Sequence, residues 1–493
     1  MKFKGVKSLI LLPLLAAGLS SCGESGPTAD VTIKFWHTFG QTIVDGLNEK
    51  IREFSDLVKE EEGVSVAVDL KYQGGYDDIA KKISDGYSVY NRPTIAVAYP
   101  DNVSDYIDIG RSAGKEFVVN LDKFIKDPGV TFGSEAWLGD DQDEDDFVPE
   151  FYEEGSKYIV DGTYSLPFMK STEIMFFNMD MMKDVLKGVP GKFEGYNTAI
   201  GDSSTKINAY LKSVTWSEFL DLLTFVNEHK ADISNVLEVP LWYDSDANFL
   251  ISKMFQRSIG YASVSGEGTG IIDFESGTNR TKLQTLLEDM NANYNAGLFT
   301  TKGIKNTYGS DFFTGEKCMF SVGSTGGSGY NFPEAEAFEL GVCRVPPESA
   351  DKALYVSQGP TLALFSDDGL SEELNNKTQL YAWKFLKFIT SSEVNAEMCC
   401  NHSEGYVPVR SSSYETAFFQ EYMEEPTNKY ADCYRVILND ININAGYLVS
   451  PAFKGSAALR DECGTLFTAA ITHPIDSIDG YITTAISNAK LKF

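Results

Sequence analysis

The 493-residue chain sets 71 acidic side chains against 42 basic ones, a formal charge of −29, and that field repels phosphate backbones and excludes nucleic acid as a partner. Its apolar content of 43%, with 13% aromatics, is ample for large cores, and its length exceeds what one core organises, so two domains are expected. Away from the N-terminus six cysteines remain, Cys318, Cys343, Cys399, Cys400, Cys433 and Cys463; without CxxC spacing they argue against a metal centre, and the sequence does not fix their pairing.

The chain begins with Lys2, Lys4 and Lys7 and then an apolar run from Ser8 to Leu19. At about a dozen residues the run falls short of the roughly 20 that span a bilayer, so it reads as an export signal. Leu19-Ser20-Ser21-Cys22 resembles the lipobox of bacterial lipoproteins. That resemblance implies a leader over residues 1–21, lipidation of Cys22, and a tether over residues 22–30. The competing account is an ordinary signal peptide with a chance cysteine. Both predict export, and the lipobox adds anchoring to a bacterial membrane, facing the periplasm or the cell exterior. Loss of the three leader lysines takes the charge from −29 to −32. No later window approaches a spanning run.

Val31–His37 is rich in β-formers, and over 42–60 Val44, Leu47, Ile51, Phe54 and Val58 share one helical face. Alternation at Val64, Val66, Val68 and Leu70 predicts a strand, residues 77–87 a helix, and residues 93–99 a third strand. The β-α-β-α-β order predicts an open, largely parallel sheet that binds ligands beyond the carboxyl ends of its strands. Those ends carry Trp36-His37-Thr38, Tyr72-Gln73-Gly74-Gly75-Tyr76 and Tyr99-Pro100-Asp101-Asn102, making His37, Tyr76 and Asp101 binding candidates. The plainer account of each is a turn residue or an aromatic capping a core.

The acidic stretch from Gly139 to Asp146 fails as an EF-hand, because positions six and twelve counted from Asp141 are Asp146 and Tyr152 rather than glycine and glutamate. It reads as a solvated loop. The cluster Gly323-Ser324-Thr325-Gly326-Gly327-Ser328-Gly329 suits an anion-binding nest but lacks the Lys-Ser/Thr ending of a P-loop. His37, His229, His402 and His473 are dispersed, and no catalytic signature, metal site or cofactor motif is legible.

Several segments in order carry a resemblance to a known family. They are Ile33-Lys34-Phe35-Trp36-His37, Leu166-Pro167-Phe168 with Phe176-Phe177-Asn178-Met179-Asp180, and Thr215-Trp216-Ser217-Glu218-Phe219 opening a helix. Phe313 to Met319 before the glycine cluster and Gly405-Tyr406-Val407-Pro408-Val409-Arg410 complete the set. The chain resembles the extracellular solute-binding proteins of bacterial ABC importers, the carbohydrate-type group that includes maltose- and glycerol-3-phosphate-binding proteins. The resemblance implies a two-lobed α/β fold of the periplasmic-binding-protein type II, with discontinuous lobes that close on solute and a membrane permease that reads the closed shape. It implies one lobe over 31–168 and 360–415 and the other over 172–356 and 417–493. Crossings are expected near 167–172, 357–361 and 411–416.

Within that family the glycerol-3-phosphate binders are nearest in pattern. The resemblance implies that Tyr76 lines the cleft from the first lobe and that Ser171 and Thr172 donate hydroxyls at the first crossing. Ser324 and the backbone at Gly359 would approach a phosphate or sugar hydroxyl, and Tyr406 would close from the late segment. Arg460 would pair two parallel N–H donors with a phosphate, the competing account being a surface arginine beside Asp461 and Glu462. Where those relatives carry a glutamate after the third strand's tyrosine, this chain has Pro100 and then Asp101. The expected tryptophan pair is replaced by Trp242-Tyr243, with Trp242 either stacking on a sugar ring or packed in a core. The solute is thus open between a glycerophosphate-like compound and a neutral mono- or oligosaccharide. A lipid-anchored monomeric receptor partnered by ABC permease subunits is expected; the alternative is a secreted lipoprotein enzyme or adhesin acting on glycans.

Overall fold

The computed structural model describes residues 29–87, 91–125, 144–265, 269–335, 337–425, 427–442 and 445–493. The leader and Cys22 lie outside the described residues, as do Asp140, Asp141 and Asp143.

The strands that matter are β1 (Val31–His37), β2 (Val66–Tyr72), β3 (Ile95–Ala98), β4 (Ser165–Pro167), β5 (Glu173–Asn178), β6 (Val239–Tyr243), β7 (Phe299–Thr301), β8 (Cys318–Ser324), β9 (Leu340–Arg344) and β10 (Thr361–Leu364). They form two five-stranded sheets, ordered β2-β1-β3-β10-β4 and β7-β6-β8-β5-β9. In the first, β1 runs parallel to β2 and β3, while β10 is antiparallel to both its neighbours. In the second, β6 runs parallel to β7 and β8, and β5 is antiparallel to β8 and β9. Each sheet therefore receives one strand running against the others. The result is two α/β lobes of the kind the resemblance implies.

In the first lobe, β1 is followed by helix α1 (Gln41–Glu62), whose stripe of Leu47, Phe54 and Val58 is buried. Gly63, at φ 71°, ends α1 in a left-handed conformation that glycine adopts without strain. Helix α2 (Tyr76–Gly86) follows β2, and helix α3 (Pro100–Ala113) follows β3, with Pro100 in the first turn, where its missing N–H costs nothing. In the second lobe, helix α4 (Trp216–Ile233) opens on Thr215, whose hydroxyl accepts from the Glu218 N–H at 3.4 Å while the Glu218 carboxylate accepts from the Thr215 N–H at 2.8 Å. Helix α5 (Asp246–Gln256) follows β6. Helix α6 (Glu372–Ile389) returns to the first lobe, where Phe385 meets Phe54 edge-on at 5.2 Å between centroids. Helix α7 (Ser392–His402) lies against α1, tied by an ion pair of 2.5 Å between Lys50 and Glu397.

At the first crossing Lys170 exchanges backbone hydrogen bonds with Val407, and Ser171 does so with Gln358, so three stretches of chain run side by side. The last transit lies beyond the expected 411–416. Helix α8 (Ala417–Glu424) still packs on α7, whereas helix α9 (Lys429–Val436) packs on β9, which moves the transit to the residues joining them. Helix α10 (Ser456–Thr472) packs on α5 in the second lobe.

The solvated-loop expectation needs correction at Asp146. Its carboxylate accepts from the Ser412 hydroxyl at 2.5 Å and lies 3.5 Å from the buried Arg410 guanidinium, which stacks over Phe147 at 4.0 Å. All six described cysteines are buried free thiols, with Cys318, Cys343, Cys399, Cys400, Cys433 and Cys463 pushed up in pKa by burial. No described helix is long and apolar enough to cross a membrane.

Gly359 sits in the second crossing at φ 91°, where an added Cβ would stand 2.3 Å from the Met169 carbonyl oxygen. A Gly359→Ala change combines a strained backbone with overpacking and should lower unfolding free energy by about 2 kcal/mol or more. Denaturant unfolding checks this, and an unchanged midpoint and slope would contradict it.

Candidate functional site

The carboxyl ends of β2 and β3 lead at once into α2 and α3, so Tyr76 and Asp101 stand in the first turns of helices at the mouth of the sheet. Facing them from the second lobe is the N-terminal half of α10. Between lies a cavity of about 220 Å³ whose walls include Tyr76, Tyr99, Asp101, Lys170, Gln358 and Arg460. Tyr76 and Tyr99 meet at 4.4 Å between centroids with their rings tilted by 37°, presenting phenols that burial pushes up in pKa. Two such rings suit the C–H face of a polyol or sugar.

The lobes touch beside this cavity. Ser456 donates its hydroxyl to Asp101 at 2.8 Å, and the Gly455 N–H donates to the Asp105 carboxylate at 3.1 Å. Lys454 lies 3.5 Å from Asp108. Carboxylates of α3 thus meet the positive end of α10, a favourable alignment with its dipole. Burial raises the Asp101 carboxyl, opposed by Arg460 and Ser456, and raises Asp105 to about 6.

Deeper in the second lobe, Glu173 at the start of β5 accepts from the Tyr243 hydroxyl at 2.6 Å and from the Asn248 side-chain amide at 2.9 Å. The Asn248 carbonyl oxygen in turn accepts from Arg460. Tyr243 lies flat on Phe249 at 4.2 Å, which fixes its hydroxyl. Burial pushes Glu173 to about 7 against the pull of Tyr243, Asn248 and Arg460. At the crossing, Lys170 donates to Glu154 at 2.6 Å and to the Gly359 carbonyl at 3.3 Å, both charged groups being buried.

Of the residues singled out in the sequence, the structure brings Tyr76, Asp101 and Arg460 together around the cavity. Tyr406 lies in an adjoining cavity of about 260 Å³, which it shares with Tyr76 and Gly326. Ser171 is buried at the crossing, and the Thr172 hydroxyl is spent on the Val356 carbonyl at 3.0 Å. Gly359 likewise has its carbonyl engaged by Lys170. The anion nest does not form in the expected sense: Ser324 accepts from the Gly326 N–H at 3.2 Å, while the Thr325 and Ser328 N–H groups donate to Thr172 and Glu404. Trp242 is fully buried against Phe312 at 4.4 Å, the core alternative. His37 is 3% exposed, stacks on Phe39, accepts from the Phe39 N–H at 3.2 Å, and faces a different groove from the interlobe cavity.

Sequence reasoning missed Tyr99, Lys170, Glu154, Glu173, Asn248 and Ser456. Tyr99 had a signal, since it ends the third strand beside Asp101. A charged residue on each side of Ser171-Thr172 was the available hint for Lys170 and Glu173. Glu154, Asn248 and Ser456 carry no motif.

Residues 55–427 match a family described as bacterial extracellular solute-binding protein. The sn-glycerol-3-phosphate-binding periplasmic protein UgpB of Pectobacterium atrosepticum is 22% identical over 418 residues, covering 82% of this chain and 78% of that protein. The UgpB of Salmonella typhimurium is 22% identical over 423 residues, covering 83% and 81%. Among solved structures, UgpB of Mycobacterium tuberculosis in complex with glycerophosphocholine superposes with a TM-score of 0.60 at 18% identity, covering 92% of this chain and 98% of that one. The sugar-binding protein MalE of Xanthomonas citri superposes with a TM-score of 0.64 at 12% identity, covering 93% and 97%. Two lobes around an interlobe cavity, with the family match spanning most of the sequence, place the chain among the bacterial extracellular solute-binding proteins.

Proposed function

We propose that this protein is the lipid-anchored receptor of an ABC importer, a monomer that captures a small polyhydroxylated solute between its lobes and presents the closed form to a membrane permease. The observation that carries this reading is the cavity itself, about 220 Å³, walled by both lobes and by the crossings that would act as hinges. That volume lies below the roughly 300–1,000 Å³ of drug-sized sites. A single sugar ring or a glycerol phosphate fits such a space better than an oligosaccharide. Solute would draw the lobes together by contacts present only in the closed form, reinforced by Asp101 with Ser456 and Asp105 with Gly455. Between those two solutes, the phosphorylated polyol is favoured by Arg460 in the cavity wall. The glycan-acting enzyme or adhesin has less support, since a small interlobe cavity leaves a polymer no path.

Calorimetry and thermal shift with monosaccharides, glycerol 3-phosphate and glycerophosphodiesters test the reading. A true solute at 100 times its Kd should stabilise the fold by about 2.7 kcal/mol. Arg460→Ala should abolish binding of a phosphorylated solute and spare a neutral sugar; unchanged affinity for the phosphorylated solute would remove Arg460 from the site. A panel in which nothing shifts the unfolding midpoint would contradict the proposed solute class.

Anchoring has its own test in the native host. Cys22→Ala should move the protein from the membrane fraction to the soluble one and remove acyl mass from its N-terminus. Retention of the variant on the membrane would overturn the lipid anchor.

A further inference from the structure

Arg460 does not present a bare charge to the cavity. Its guanidinium donates to the Asn248 carbonyl oxygen, and Asn248 can offer that oxygen because its amide nitrogen is committed to Glu173 at 2.9 Å. Both Glu173 oxygens accept, the second from Tyr243 at 2.6 Å, so this hydrogen-bond pattern suits the ionised carboxylate. Asn248 and Glu173 are buried, which leaves the relay without water to screen it.

We infer that Glu173 is a positioning residue that acts through Asn248 to set how much of the positive charge of Arg460 the cleft presents, and hence whether it prefers neutral or anionic solutes. The inference rests on the reading of the interlobe cavity as the solute site. With Glu173 ionised, the guanidinium is held back and its charge is matched from behind; with Glu173 neutral, an anion in the cavity becomes the better counter-charge. The groups facing Glu173 are Tyr243 of β6, Asp244 beyond it, Asn248 of α5 and Arg460 of α10. Arg460 in turn faces Asp101 from α3 and Asp461 from its own helix.

The sign follows from burial. Glu173 titrates near 7 in the folded protein against an ordinary value of 4.5, so the folded form holds its proton more tightly than the unfolded chain. Its ionisation therefore costs stability increasingly as pH rises from about 4.5 to about 7, and the cost is constant above that window. Asp101, Asp105, Asp244 and Asp461 are common to wild type and variant and largely cancel in the difference.

The test compares wild type, Glu173→Gln, Arg460→Gln and the double variant, using glucose as the neutral probe and glycerophosphoglycerol, a phosphodiester that carries one negative charge throughout pH 5–8, as the anionic probe. Above pH 7, Glu173→Gln should favour the phosphodiester over glucose by about tenfold relative to wild type, the size of a one-unit pKa coupling. Wild type should approach the variant as pH falls below 6. Without solute, the wild-type unfolding midpoint should fall relative to Glu173→Gln between about pH 4.5 and 7, and Arg460→Gln should extend that fall to higher pH. Equal weakening of both probes by Glu173→Gln, or an unchanged preference between them, would overturn the inference and reduce Glu173 to a structural residue. If wild type binds neither probe, the solute-free cycle decides: additive effects of Glu173→Gln and Arg460→Gln overturn the coupling, and non-additive, pH-dependent effects support it.

Discussion

Everything in this molecule turns on the short stretch Lys170-Ser171, where three passages of chain are hydrogen-bonded side by side. Lys170 exchanges backbone bonds with Val407 at 3.1 and 2.6 Å, and Ser171 with Gln358 at 2.9 and 2.8 Å. The Lys170 ammonium, buried, reaches both Glu154 and the Gly359 carbonyl. Removing one partner of such a pair leaves an uncompensated buried charge, at a cost of about 3–5 kcal/mol. The first two crossings are thereby fixed to each other and to the Val407 stretch.

That pivot explains the division of labour around the cavity. At the crossing the Ser171 backbone and the Thr172 hydroxyl hold strands together, while longer groups near helix starts, Tyr76, Asp101 and Arg460, line the cavity. The contacts between α3 and the start of α10 join the two lobes directly. Charge follows the same logic. The cavity wall contains Asp77, Asp101, Glu154 and Asp461 against Lys170 and Arg460, with Lys170 already paired to Glu154, so acceptors for hydroxyl groups predominate.

The start of the first lobe was legible because β1, β2 and α1 are long and strongly periodic: β1 spans Val31–His37 as read, and α1 differs from its expected range by one residue at one end and two at the other. Short strands such as β10, four residues, leave no periodic trace. Tyr76 and Asp101 were legible because topology places strand ends at the ligand. Trp242 and His37 sit at strand ends too, but one ring turns under Phe312 and the other against Phe39, a choice made by packing that spacing does not record. Glu173 was hidden within the run Glu-Ile-Met-Phe-Phe-Asn, where burial of every residue makes a carboxylate look like an edge of the strand rather than a partner of Arg460. The last crossing was misplaced because α8 and α9 are both short and amphipathic, and only their packing tells which lobe each joins.

Closure on a small solute is the central claim, and an interlobe distance tests it most directly. Spin labels at Lys82→Cys on α2 and Lys305→Cys in the second lobe, both exposed positions, report that distance by pulsed electron resonance, the six thiols among the described residues being buried. A broad distribution of longer distances without solute, collapsing to one shorter distance on saturation, is what closure predicts. Identical distributions with and without a solute that demonstrably binds would contradict it.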